Sequence, residues 1–127
     1  MKNITNLITL ITLFVSLSVS GCHKEKHRYI YVKNSSNKAI YHRFSFAYPD
    51  TTLKNSDPNN YKINSESKAV TIASVFAYNP TLQLFIFDAD VIEKNPWDSV
   101  VAQRMILKRY QFTESDMEKM NWTITYR

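Results

Sequence analysis

Glycine is almost missing from this chain. Its 127 residues include one glycine, Gly21, and one cysteine, Cys22. The stretch from residue 22 to 127 therefore cannot build phosphate-cradling loops of the P-loop or dinucleotide type, whose glycines let the backbone close on the phosphate. It cannot form a glycine-flanked nucleophile elbow either. Every turn has to come from Asn, Asp, Ser and Pro. A lone cysteine leaves no intrachain disulfide, so the fold must rest on core packing. Charge of one sign is also in short supply. The formal net charge is +5, from 16 Lys and Arg against 11 Asp and Glu. The basic residues are scattered apart from Lys24, Lys26 and Arg28. Nucleic-acid recognition needs a clustered basic face, so no nucleic-acid partner is expected.

The longest apolar stretch covers about 16 residues, 4–19, and is diluted by Thr5, Asn6, Thr9, Thr12, Ser16 and Ser18. A membrane span needs roughly 20 predominantly apolar residues. Lys2 stands before the stretch and Val19-Ser20-Gly21-Cys22 closes it. Positive start, apolar middle, small residues and then cysteine, in that order, resemble the lipobox of a bacterial lipoprotein signal peptide. The resemblance implies that residues 1–21 are cleaved and that Cys22 becomes the lipidated first residue. Residues 22–28 would then form a tether and 29–127 a single domain. Two or three acyl chains anchor stably, at about 0.8 kcal/mol per buried methylene. The implied partner of Cys22 is thus a membrane. Removal of Lys2 with the signal lowers the net charge to +4. Because His23 rather than an aspartate follows the cysteine, the outer membrane is the expected location. Cys22-His23-Lys24-Glu25 also resembles the surface-export signal of such lipoproteins.

From residue 28 onward the pattern is that of strands. Residues 28–33 are β-branched and aromatic. Residues 38–48 alternate, with Ile40, Phe44 and Phe46 on one side and Tyr41, Arg43 and Ser45 on the other. The short link Asn34-Ser35-Ser36-Asn37 suggests that these two strands form a hairpin. Residues 49–60 are a polar loop. Short strands are expected at 61–64 and 69–75. Residues 82–87, apolar on both faces, mark a central strand, and another strand is expected over 104–112. Asn95 and Pro96 suit a cap and first position of a short helix. Thr113 and Asp116 resemble a capping box that opens a helix over 114–120, with Met117 and Met120 on one face. Asn121 suits the left-handed exit. In the last segment Trp122, Ile124 and Tyr126 point inward. The expected fold is mainly β, a single antiparallel β-sandwich of about six or seven strands with one or two short helices.

Several constellations invite a chemical reading. Phe87-Asp88-Ala89-Asp90-Val91 resembles the first motif of haloacid dehalogenase-type phosphatases, in which one aspartate is nucleophile and the other general acid. The glycine that should come after it is absent, and the chain is too short for that fold. Asp88, Asp90 and Asp98 could contribute oxygens to a Ca²⁺ site, although acids at turns are commonly just solvated. His23 and His27 have i, i+4 spacing but no third ligand. His42 sits on the apolar face of its strand, where a satisfied core histidine is the ordinary outcome. Tyr29, Tyr31, Tyr41, Tyr48, Tyr78 and Trp97 could form an aromatic platform for glycan or peptide. Trp122 is assigned to the core. Trp97 and Asp98, in a loop after Asn95-Pro96, are the expected binding residues, because an exposed tryptophan makes an effective anchor. No catalytic residue, metal ligand or cofactor is expected.

The domain also resembles a group of small lipoprotein domains of unknown function found in the Bacteroidetes. The similarity rests on Val32-x-Asn34-x-Ser36 with Ile40, on Tyr48-Pro49-Asp50-Thr51, on Phe85-Ile86-Phe87-Asp88, and on Arg109-Tyr110 through Thr113-x-x-Asp116 to Asn121-Trp122-Thr123-Ile124-Thr125-Tyr126. These are mostly turn and core residues, so the resemblance implies a shared fold and brings no chemistry. The expected function is a lipid-anchored, non-enzymatic envelope module that binds a protein or glycan. The alternative is a small envelope enzyme, or an enzyme inhibitor of the immunity type.

Overall fold

The computed structural model describes residues 28–45, 47–54, 56–72, 76–77 and 79–127. Cys22, His23, His27, Phe46 and Tyr78 lie outside the described residues. Two sheets are present. β1 (Tyr29–Asn34), β4 (Lys68–Ile72) and β7 (Thr123–Tyr126) form a three-stranded sheet in the order β4-β1-β7. β2 (Ile40–Ser45), β3 (Lys62–Ile63), β5 (Thr81–Asp88) and β6 (Lys108–Thr113) form a four-stranded sheet in the order β3-β2-β5-β6. The helices are α1 (Ala89–Lys94), α2 (Trp97–Ala102) and α3 (Glu114–Lys119). The protein is mainly β, with seven strands in two sheets as expected, but with three short helices among the described residues rather than one or two.

Alternation along the strands builds the core between the sheets. Ile30, Val32 and Ile124 face Ile40, Phe44, Ile63, Leu82, Leu84 and Ile86, all buried, and Met117 of α3 seals one end. Burying a large apolar side chain contributes about 1.5–3 kcal/mol. β5 is apolar on both faces because it is covered on both. Phe85 and Phe87 point away from the sandwich into a second cluster with Leu53 and Val100. α1 and α2 form a third layer there, with Val91, Ile92, Trp97 and Val101 packed against that cluster.

Four expectations are corrected. β1 and β2 do not form a hairpin; they belong to different sheets. The link is an arch organised by Asn34, which is fully buried. Its Nδ2 donates to the carbonyls of Lys38 (2.7 Å), Ile63 (3.2 Å) and Asn64 (3.1 Å). Its Oδ1 accepts from the backbone N–H (3.0 Å) and hydroxyl (2.7 Å) of Ser36. A tight primed hairpin needs positive φ in its loop, and no residue of this link has it.

The sandwich is not wholly antiparallel either. β7 runs parallel to β1, in the register Val32↔Ile124. The reason is α3, which carries the chain from β6 in one sheet to β7 in the other and sets its direction. Residues 89–94 are helical because the Asp88 side chain accepts the Asp90 amide at 2.8 Å and caps the helix, so the expected roles of Asn95 and Pro96 as cap and first position change. Asn95 is the C-cap of that helix, and Pro96 the N-cap of α2. Finally, β6 starts at Lys108 and not at 104. Arg104 turns the chain with φ 50°, and Met105 and Ile106 plug the second cluster.

The capping box is as expected. Thr113 accepts from the Asp116 amide (3.2 Å), and Asp116 accepts from the Thr113 amide (2.9 Å). Asn121 has φ 49°, and Trp122 comes next with φ 58°.

Candidate functional site

The outer face of the three-stranded sheet is the part of the molecule that the core does not use. Alternation in β1 sends Ile30 and Val32 inward and leaves Tyr29, Tyr31 and Lys33 outward. Register places Val70 beside Tyr31, and Lys68 beside Lys33, on β4. On the other side it places Thr123 and Thr125 beside the same two residues. Tyr29 is 48% exposed and Val70 59%. Residues of this face and its rim line a groove of about 590 Å³: Arg28, Tyr29, Tyr31, Lys33, Lys68, Asn121, Trp122 and Thr123.

Two of its aromatic rings carry cations. The Arg28 guanidinium lies 5.1 Å from the centre of the Trp122 ring, and the Lys68 ammonium 5.1 Å from that of Tyr31. Such contacts contribute about 0.5–1 kcal/mol each when exposed. Here they fix where the charges stand. Arg28 is held further by hydrogen bonds to Glu114 (3.2 Å) and Glu118 (3.1 Å) of α3. No carboxylate lines the groove itself. It can receive a planar or apolar group on the tyrosines while Lys33 and Lys68 meet negative charge at its edge.

Trp122 belongs partly to this site. Its ring packs edge-on against Phe76 at 6.1 Å and against the core cluster, but it is half-buried, with Arg28 stacked on it. The two successive left-handed residues at the end of α3 place it at the border between core and groove.

Trp97 is not the free loop side chain expected of it. It is the first residue of α2, and its ring lies edge-on to Phe87 at 5.6 Å. Its Nε1 is buried without a partner among the described residues. Asp98 is exposed in the first turn of the same helix. Of the other acids, Asp88 caps α1 and Asp90 pairs with Lys94 at 3.1 Å. No group of three His, Cys, Asp or Glu among the described residues is placed to hold a metal ion.

Asp50 is a structural acid. Its Oδ2 accepts from the hydroxyls of Ser45 (2.7 Å) and Ser56 (2.8 Å), and its Oδ1 from the amides of Thr52 (3.1 Å) and Leu53 (3.0 Å). Its own N–H donates to Oε1 of the fully buried Gln83 at 2.8 Å. Burial acts to raise the Asp50 pKa, but these hydrogen bonds outweigh it and hold the carboxyl below its ordinary value. His42 is 4% exposed, with Nδ1 2.8 Å from the Tyr61 carbonyl. Burial pushes its pKa down against that hydrogen bond, and the neighbouring Arg43 charge adds to the effect.

Of the tyrosines singled out from sequence, Tyr29 and Tyr31 come together here. Tyr41 lies on the other sheet, where its hydroxyl donates to Glu93 at 3.3 Å, and Tyr48 is exposed just past the end of β2. The cations Arg28, Lys33 and Lys68 were not singled out as platform residues. Their alternation with tyrosine in Arg28-Tyr29-x-Tyr31-x-Lys33 was the available signal. Comparison with protein-family models, with characterised proteins and with solved structures finds no match to this chain. Among the described residues, no helix is long and apolar enough to cross a membrane.

Proposed function

We propose that this protein is a lipid-anchored, non-enzymatic module of the bacterial cell envelope that binds a negatively charged glycan or protein on the outer face of its three-stranded sheet. The anchor is read from the lipobox-like Val19-Ser20-Gly21-Cys22. The observation that carries the binding reading is the groove in which Tyr29, Tyr31 and Trp122 lie beside Lys33 and Lys68 with no lining carboxylate, Arg28 being already paired with Glu114 and Glu118. Aromatic surface supplies contact area, and complementary charge supplies steering and selectivity. The groove includes Arg28, the last residue of the proposed tether, so it works close to the anchoring surface.

Two measurements test the reading. Mass spectrometry of the mature N-terminus should find acylated Cys22, with Cys22→Ser abolishing processing; an unmodified Cys22 removes the anchor. Calorimetric titration of the full-length protein in detergent with polygalacturonate, its methyl ester and poly-glutamate tests the groove. Saturable binding of a charged polymer, weakened by salt and lost in Tyr31→Ala and Lys68→Ala, is expected. Equal binding of the methyl ester, or no binding of either charged polymer, overturns it.

A further inference from the structure

A second site lies at the open side of the sandwich, where the β2–β3 edge of one sheet faces β4 of the other. A cavity of about 280 Å³ is lined there by His42, Arg43, Phe44, Tyr61, Ala69 and Thr71, among others. We propose that this cavity binds a small organic carboxylate, with its charge meeting Arg43 at the open edge of β2 beside Tyr61 and its apolar body against His42 and Phe44.

The Arg43 side chain makes no hydrogen bond or ion pair among the described residues, and its Nε is buried without an acceptor there. Buried donors are almost always satisfied, and a charged donor left bare is costly. An acceptor beyond the described residues is therefore favoured at this point. The guanidinium is already ordered, because it lies over the Tyr61 ring at 4.9 Å. Less side-chain freedom is lost when a ligand arrives.

The other groups narrow the ligand. A carbonyl can only accept, so the 2.8 Å contact to Tyr61 puts the His42 proton on Nδ1 and leaves Nε2 a neutral acceptor. The His42 ring is packed edge-on between Phe44 (5.9 Å) and Tyr61 (5.6 Å). Burial favours its uncharged form, so it adds no positive charge. Lys62, also at the rim, is neutralised by its pairing with Glu93. One unpaired cation remains among the described lining residues, which matches a monoanion and not a doubly charged phosphate. Arginine meets a carboxylate through a fork of parallel hydrogen bonds. Phe44 and Ala69 supply apolar wall. The volume lies at the small end of ligand pockets, so a ring or short chain fits and a polymer does not. A free organic acid and the C-terminal carboxylate of a peptide share this chemistry.

The test is an NMR titration of the ¹⁵N-labelled full-length protein in detergent. The probes are benzoate, uncharged benzyl alcohol, and a short peptide ending in phenylalanine with either a free or an amidated C-terminus. Benzoate should bind saturably and shift the Arg43 Nε–H resonance, and benzyl alcohol should bind at least about tenfold more weakly. Arg43→Gln should lower benzoate affinity by a similar factor. Tighter binding of the free-ended peptide than of benzoate assigns the natural source to a chain terminus; the reverse assigns it to a free acid. Equal affinity for benzoate and benzyl alcohol, or no saturable shift with any carboxylate, overturns the proposal. The wild-type comparison of those two probes decides the matter even if Arg43→Gln does not fold. Because the cavity and the outer groove share no lining residue, Tyr31→Ala should leave benzoate binding unchanged, which separates this proposal from the preceding one.

Discussion

The two sheets of this sandwich differ in how they are covered. The four-stranded sheet has a central strand, β5, buried on both faces: one side meets the other sheet, and the other meets α1, α2 and the loop carrying Leu53. The three-stranded sheet buries one face and leaves Tyr29, Tyr31, Val70 and two lysines outward. Both contain apolar and aromatic strands, so composition alone does not separate them. The difference arises from the segment that leaves each strand. β5 runs directly into a capped helix that folds back over it. β1 leads into an arch fixed by Asn34, which sends the chain away to the opposite sheet. A face with no returning helix stays open to solvent.

That contrast can be broken most forcefully on the doubly covered side. Phe87→Ala should cost about 3–5 kcal/mol, a large share of the roughly 5–15 kcal/mol that holds a domain together. Denaturant titration measures it. Trp97→Ala should come next, at about 3 kcal/mol, because its ring packs on Phe87. A melting temperature unmoved by this change would show that the helical layer is dispensable.

Asp50→Asn should cost about 1–3 kcal/mol by disturbing the buried network, and its pH signature is distinctive. The folded carboxyl lies below its ordinary value of 3.8. The stability it contributes is therefore complete above that value and lost as pH falls through the lower folded one. The variant should lack this acid limb. His42 is also shifted downward from 6.5, so its contribution is complete above 6.5 and declines as pH falls towards its folded value. His42→Gln should flatten melting temperature against pH in that higher window.

On the open face the effect should be small for stability. Tyr31→Ala should cost less than about 1 kcal/mol, while abolishing capture of the charged polymer. Smallest of all, Glu66 is exposed with φ 55°. Glu66→Gly should relieve a left-handed cost of roughly 1–2 kcal/mol and restore most of it as freedom in the unfolded chain. A net gain of a few tenths of a kcal/mol is expected from thermal melts.

Legibility tracked the range of the interactions involved. The capping box at Thr113, the left-handed Asn121 and the doubly apolar β5 were readable because each is set by residues within a few positions. The β1–β2 arch was not, since Asn34 answers to carbonyls of Ile63 and Asn64, about 30 residues away. Trp97 was misplaced for a similar reason. A tryptophan after Asn-Pro has the local chemistry of a loop tip, and only packing across the layer, on Phe87, makes it a half-buried helical residue. The groove was half visible: tyrosines of β1 were singled out, but Lys68 joins them only through cross-strand register.

The parallel pairing of β1 with β7 also orders events in time. β1 is the middle strand of its sheet, and one of its two neighbours is about ninety residues further along the chain. Closing so long a loop comes at an entropic cost before any of its contacts repay it, and topologies rich in such contacts assemble in milliseconds to seconds. Until residues 123–126 arrive, Ile30 and Val32 lack the Ile124 side of their shelter. The sheet built around β1 is therefore complete only once β7 has paired with it.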